Sequence, residues 1–204
     1  MVRRRTGAVV AAPSPARLTL AVTAARVRYP TPARVTGQLR FGDGAPPAGT
    51  PVAFEFQLPG GAWQPVGRAS ADAAGRYGAA LEVPASGLVR AVFPGDGGRA
   101  PVLAAPVAIA VLPRLTLALS VRRVRRRRAV RVTGVLSPAP AGGRVECVLE
   151  RQVGARWVVV QRKRINVRRA AFATTVRPAV AGLHRVSVST PGATERLRLR
   201  VSAA

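Results

Sequence analysis

Residues 17–39 read RLTLAVTAARVRYPTPARVTGQL, and residues 114–136 read RLTLALSVRRVRRRRAVRVTGVL. The second stretch begins 97 positions after the first and needs no gap to match it. Arg17-Leu18-Thr19-Leu20 answers Arg114-Leu115-Thr116-Leu117, and Arg34-Val35-Thr36-Gly37 answers Arg131-Val132-Thr133-Gly134. Two matched blocks in one register point to one module used twice. In a chain of 204 residues this leaves about 95 residues per copy, the size at which an all-β sandwich buries its own core. The expected division is a basic leader over 1–16, a first module over 17–112 and a second over 113–204. Leu112-Pro113 is the linker, and so short a linker is expected to set the modules end to end with limited freedom.

Within the first module the period is two. Leu18, Leu20 and Val22 alternate with Thr19, Ala21 and Thr23, and residues 52–56 (VAFEF) alternate in the same way. Further strands are expected over 35–41, 63–69, 77–83, 88–93 and 102–111. Turn chemistry separates them: Pro30 and Pro32, the loop 42–49, Pro59-Gly60-Gly61, and Asp72-Ala73-Ala74-Gly75. The second module follows with drift. Trp157 answers Trp63 at an offset of 94, and Phe172 and Gly182 answer Tyr77 and Gly87 at 95. No stretch shows a helical period. Seven short strands per module, with turns every 8–12 residues, predict an all-β chain of two tandem seven-stranded Greek-key Ig-like β-sandwiches.

The first module resembles the bacterial Ig-like domains that occur in tandem in secreted and cell-surface proteins of GC-rich bacteria. The residues that carry the likeness are Leu18-Thr19-Leu20, Val35-Thr36-Gly37, Trp63, Asp72-Ala73-Ala74-Gly75-Arg76-Tyr77 and Phe93-Pro94-Gly95-Asp96. The second module departs from it. Val167 and Ala170 stand where Asp72 and Gly75 would be, and Thr190-Pro191-Gly192 replaces the last motif. The resemblance implies a non-enzymatic surface or secreted spacer, stalk or adhesive module outside the cell, and further repeats as neighbours. These motifs are structural and support the fold more than any activity.

Charge supplies the rival reading. The chain holds 33 Lys+Arg against 8 Asp+Glu, a net +25, and Lys163 is the one lysine. Residues 1–112 carry +7 and residues 113–204 carry +18. A GC-rich codon bias supplies arginine without functional demand, yet a surface this basic attracts polyanions whatever its origin. The densest run is Arg122, Arg123, Arg125, Arg126, Arg127 and Arg128. The repeat register places it in the loop between the first two strands of the second module, with Arg151, Arg156 and Arg177 expected at the same end. Arg196, Arg198 and Arg200 alternate with Leu197, Leu199 and Val201 and should line the outer face of the last strand. The functional reading is a contact with an anionic wall polymer, an acidic glycan or membrane headgroups; the plain one is a solvated charge run. Nucleic acid fits less well, because Trp63 and Trp157 read as core or hairpin residues and no stacking platform interleaves with the arginines. An acidic end on the first module and a basic end on the second would also permit head-to-tail association of copies.

The residues for catalysis are scarce. His184 is the only histidine and Cys147 the only cysteine, so no intrachain disulfide exists. His184 reads as a partly exposed strand residue rather than a triad base, and Cys147 as a buried inert thiol. There is no zinc spacing and no Gly-rich phosphate loop, so no enzyme and no cofactor is expected. Asp43, Asp72 and Asp96 fall in three loops that share one end of a Greek key. They would form a Ca²⁺ site if clustered, and three separate turn residues if not. Arg3, Arg4 and Arg5 begin the leader like a signal peptide, but residues 7–12 are short for an apolar core of about 7–15 residues. No apolar run reaches the roughly 18 residues of a membrane span.

Overall fold

The computed structural model describes residues 15–139 and 143–203, so the basic leader lies almost wholly outside the described residues. Everything described is strand, turn or loop. A small antiparallel sheet is built from β1 (Ala16–Val22), β3 (Ala33–Phe41) and β6 (Arg76–Leu81), in the order β1-β3-β6. A larger one orders β2 (Arg26–Arg28), β9 (Val107–Leu112), β7 (Gly87–Phe93), β4 (Pro51–Gln57) and β5 (Trp63–Ser70), with β8 (Val102–Leu103) on β7. The second half follows the same plan. β10 (Arg114–Leu119), β12 (Val130–Ser137) and β15 (Ala171–Val176) form the small sheet. β11 (Arg123–Arg125), β17 (Ala193–Ser202), β16 (Gly182–Thr190), β13 (Arg144–Val153) and β14 (Arg156–Asn166) form the large one, in that order.

All pairings are antiparallel except β2 on β9 and β11 on β17. In each half the opening strand starts in the small sheet and finishes, as β2 or β11, parallel to the last strand of the large sheet. Counting that switched strand once, each half has seven principal strands in an Ig-like Greek-key sandwich, and the all-β expectation holds. Contacts group the described residues up to Ala25 and Pro32–Ile109 in one compact unit. Arg26–Thr31 join the chain from Ala110 onward in the other.

Each unit is closed by its alternating pattern. In the first, Val52, Phe54 and Phe56 of β4 point inward, and Phe54 meets Tyr77 of the opposite sheet at 5.9 Å between ring centroids. Phe41 and Phe93 pair across the sheets at 5.5 Å. In the second, Leu115, Val130, Val132 and Leu136 of the small sheet pack on Val145, Cys147, Leu149, Val186, Val188 and Leu199 of the large one. Fully burying one such side chain contributes about 1.5–3 kcal/mol, so small aliphatics suffice where aromatics are few.

Three details differ from the sequence reading. The expected strand over 102–111 is two, β8 and β9, with Pro106, which has no N–H to donate, just before β9. β2 and β11 are strands where loops are expected. The turn before β15 keeps the geometry of its counterpart without the glycine. Leu39 N donates to Gly75 O at 2.8 Å, and Leu136 N to Ala170 O at 2.8 Å. Gly75 has φ 75°, whereas Arg169 and Ala170 hold φ 48° and 65°, a region that costs residues with a Cβ about 1–2 kcal/mol each. The aromatic that follows also differs. The Tyr77 hydroxyl donates to Thr19 O, and Phe172 has no hydroxyl to give Thr116 O, although each ring lies over a glycine, Gly37 or Gly134, where any added Cβ would collide with it.

Restoring the first unit's chemistry should therefore stabilise the second. Ala170→Gly and Phe172→Tyr are each expected to add about 1 kcal/mol to its denaturant-unfolding free energy, and Tyr77→Phe to remove a similar amount from the first unit. A neutral or destabilising result for both gains would refute the equivalence of the two turns.

Candidate functional site

The arginine run is held as backbone structure. Arg123, Val124 and Arg125 pair in parallel with Arg200, Val201 and Ser202. Flanking bonds complete the attachment: Arg200 N donates to Arg122 O at 2.9 Å, Arg126 N to Ser202 O at 3.1 Å, and Arg127 N to Pro178 O at 2.6 Å. Arg127 takes φ 64° in the turn. Part of the expected loop is thus an edge strand, because Val124 faces the core beside buried Val201 and fixes the phase. Arg123 and Arg125 must then face outward.

β17 has the same logic. Leu199 and Val201 are buried, so Arg196, Arg198 and Arg200 line the outer face. Along a strand, alternate side chains recur at about 6.8 Å, and neighbouring strands lie about 4.8 Å apart. Arg200 stands beside Arg123, and Arg198 beside Arg185. Like charges directly opposite are unfavourable. Among the described residues, no acidic side chain comes within ion-pair distance of Arg123, Arg125, Arg198 or Arg200. The row is a line of outward guanidiniums without ion-pair partners among the described residues.

Toward the middle of the sheet the charge is neutralised. Arg185 of β16 grips Glu150 of β13 with two bonds, Nε–Oε2 at 2.5 Å and Nη2–Oε1 at 2.8 Å, and Ser187 Oγ donates to Oε2 at 3.0 Å. The guanidinium lies 4.4 Å from the Trp157 ring centroid. Arg185 holds the Glu150 carboxyl below its ordinary pKa, with Ser187 and Arg196 adding to the effect. The first unit repeats the constellation: Arg90 Nε meets Glu55 at 2.7 Å and its guanidinium lies 4.1 Å from the Trp63 centroid. Both sets adjoin a β-bulge, after Phe54 and after Leu149. Trp63 and Trp157 are therefore outer-face residues, not core. The signal was present in the offsets, since Glu55, Arg90 and Trp63 recur at 95, 95 and 94. A shallow depression of about 250 Å³ lies beside this second set, among Glu150, Arg162, Ser187 and Arg196.

The other candidate residues are dispersed. Arg126 and Arg128 are exposed beside β11. Arg151 pairs with Val158, and Arg156 closes the β13–β14 hairpin opposite Val153. These arginines share one end of the unit but not one cluster of side chains. The three aspartates do not converge as ligands. Arg99 lies between two of them, bonding Asp43 at 2.9 Å and Asp96 at 3.1 Å while covering the Phe41 ring at 4.0 Å. Asp72 Oδ1 instead accepts from Ala74 N and Arg76 N at 2.9 and 2.8 Å. Among the described residues no three acidic, His or Cys side chains gather where a metal would bind.

His184 is 1 % exposed, on the inward face of β16, rather than partly exposed. Its Nδ1 lies 3.2 Å from Gly182 O, and burial holds its pKa below the ordinary value, with Arg151 adding to the effect. Cys147 is buried, and that burial pushes its thiol up to about 11. Neither is placed to attack or activate a substrate.

No family model matches the chain, and no curated protein matches it. Solved structures similar to it include the Yersinia pseudotuberculosis adhesin InvE, at 13 % identity over 93 % of this chain and 60 % of that one, with a TM-score of 0.44. Invasin, a bacterial integrin-binding protein, aligns at 17 % identity over 92 % of this chain and 40 % of its own, with a TM-score of 0.48. A marsupial T cell receptor aligns at 13 % identity over 91 % and 62 %, with a TM-score of 0.41. The chain spans between 40 % and 62 % of the length of these proteins. The fold assignment rests on strand order and register.

Two outcomes follow from the site's interior. Arg185→Ala strands Glu150 and uncovers Trp157, and should cost the second unit about 2 kcal/mol; a cost near zero in denaturant unfolding would show the constellation to be ornamental. Burial disfavours the charged form of His184 in the folded protein, whereas the unfolded chain protonates it freely. Its contribution is complete above about pH 6.5 and declines as pH falls below that value. His184→Leu should flatten the stability–pH curve of the second unit below about pH 6.5, and an unchanged slope would refute the assignment.

Proposed function

We propose that the chain is a non-enzymatic Ig-like surface module whose second unit holds an anionic polymer on the outer face of β11 and β17. The observation that carries this reading is the row of four unpaired guanidiniums, Arg123, Arg125, Arg198 and Arg200, on adjacent strands. A fold gains nothing by placing like charges side by side; a bound polyanion removes the repulsion and accepts bidentate bonds from each fork. Wall phosphate polymers and acidic glycans have the required chemistry. Codon bias acts on both units alike. β2 carries Arg26 and Arg28 as β11 carries Arg123 and Arg125, but β9 presents Ala108 and Ala110 on its outer face where β17 presents Arg198 and Arg200. The burial of the only histidine and the only cysteine supports the absence of catalysis.

A second reading, a spacer with no ligand, draws on the two separately closed cores and the short Leu112-Pro113 connection. Retention on heparin and on a purified anionic wall polymer across a salt series separates the two. Log affinity should fall linearly with log salt, and replacing the four arginines by serine should reduce the slope by about 3 at roughly 0.7 per neutralised charge. Replacing Arg17, Arg34, Arg40 and Arg68 removes equal charge from the first unit and should matter much less. Equal loss in both variants would mean diffuse attraction and leave the spacer reading.

A further inference from the structure

At the end of the second unit beyond the arginine row, cations meet exposed apolar side chains. The β13–β14 hairpin outruns its neighbour: β13 last pairs with β16 at Arg151↔His184, while its pairing with β14 continues to Val153↔Arg156. On that arm Val153, Val158, Val159 and Val160 are 46–48 % exposed, and Val180, in the connection before β16, is 46 % exposed. Of these, Val153, Val158 and Val180 lie toward this one end, whereas Val159 pairs with Glu150, level with Arg185 and Arg198, and so sits farther along the sheet. The register shows that it is one end. Gly182 lies across from Val201, which is beside Val124, and Arg127 N bonds Pro178 O in the same connection as Val180. Arg125, Arg126, Arg127, Arg151, Arg156 and Arg177 fall at the same end.

A soluble polyanion would use the arginines and leave the valines in water. An anionic lipid surface uses both, since guanidiniums meet headgroup phosphates while small branched side chains enter the acyl boundary. Resting on the polyanion reading above, we infer that this end docks on the surface of an anionic bilayer, with the hairpin valines inserted and the arginines on the headgroups. The contact is peripheral: the arm projects only a few residues past its neighbour, too short to cross the hydrocarbon core.

The test is co-sedimentation of the full chain with phosphatidylcholine vesicles and with phosphatidylglycerol–phosphatidylcholine vesicles, with heparin retention measured in parallel. The parent should bind only the anionic vesicles. Val153→Ser/Val158→Ser should weaken vesicle binding about tenfold and leave heparin retention intact, which also shows that the variant is folded. Arg126→Ser and Arg156→Ser should each weaken vesicle binding about fivefold. Val135→Ser, on the small sheet, should change neither. A parent that binds heparin but not anionic vesicles overturns the inference and leaves the polyanion reading standing. Vesicle binding that survives loss of the valines also overturns it, because charge alone would then explain the contact. A parent that binds neither overturns both.

Discussion

The register of β17 is the constraint on which the second unit depends. Leu199 and Val201 must enter the core, and the two-residue period then sends Arg196, Arg198 and Arg200 to the outer face. A one-residue slip would exchange the sets and carry guanidiniums into an apolar interior, at a desolvation cost larger than the stability of a small domain. The same alternation anchors β11, where Val124 faces inward and Arg123 and Arg125 outward. The core packing thus decides which face the arginines occupy.

The two units share an apparatus that keeps the large sheet together from outside. In each, an arginine on the third strand of the sheet order lies between a glutamate on the next strand and a tryptophan on the edge strand. The ion pair and the ring contact act across three strands, beside a bulge that opens the ladder. This removes one arginine per unit from the pool available to a ligand, and concentrates the free guanidiniums on β11 and β17. It also leaves the tryptophans half covered, amphipathic side chains with one face on a cation and the other to solvent.

The first unit disposes of its charge differently. Arg99 is drawn between Asp43 and Asp96 and over Phe41, which ties the long connection after β7 to the one after β3. The hydrogen bond from Gly98 N, together with Arg99, keeps Asp96 below its ordinary pKa. Carboxylates that would serve a cation are already committed to a guanidinium, and Asp72 is committed to its own turn. The units thus differ in degree: residues 1–112 carry +7 and hold Arg90 and Arg99 in ion pairs, whereas residues 113–204 carry +18 and leave a row of arginines without acidic partners among the described residues.

The strands and their alternation were legible in the sequence, because a period of two and turn residues are local properties of the chain. So were the outward arginines of β17, since Leu197, Leu199 and Val201 mark the opposite face. Pairing across the sheets was not legible. That residues 123–125 form a strand depends on a partner about 75 positions away. That Arg99 lies between Asp43 and Asp96, and that Trp157 covers Arg185, depends on loops and strands brought together only by the closed sandwich. His184 illustrates the boundary. Its place on a strand is local, but whether it faces water or core is decided by the phase of β16 against β13 and β17, and that phase exists only once the sheet is formed.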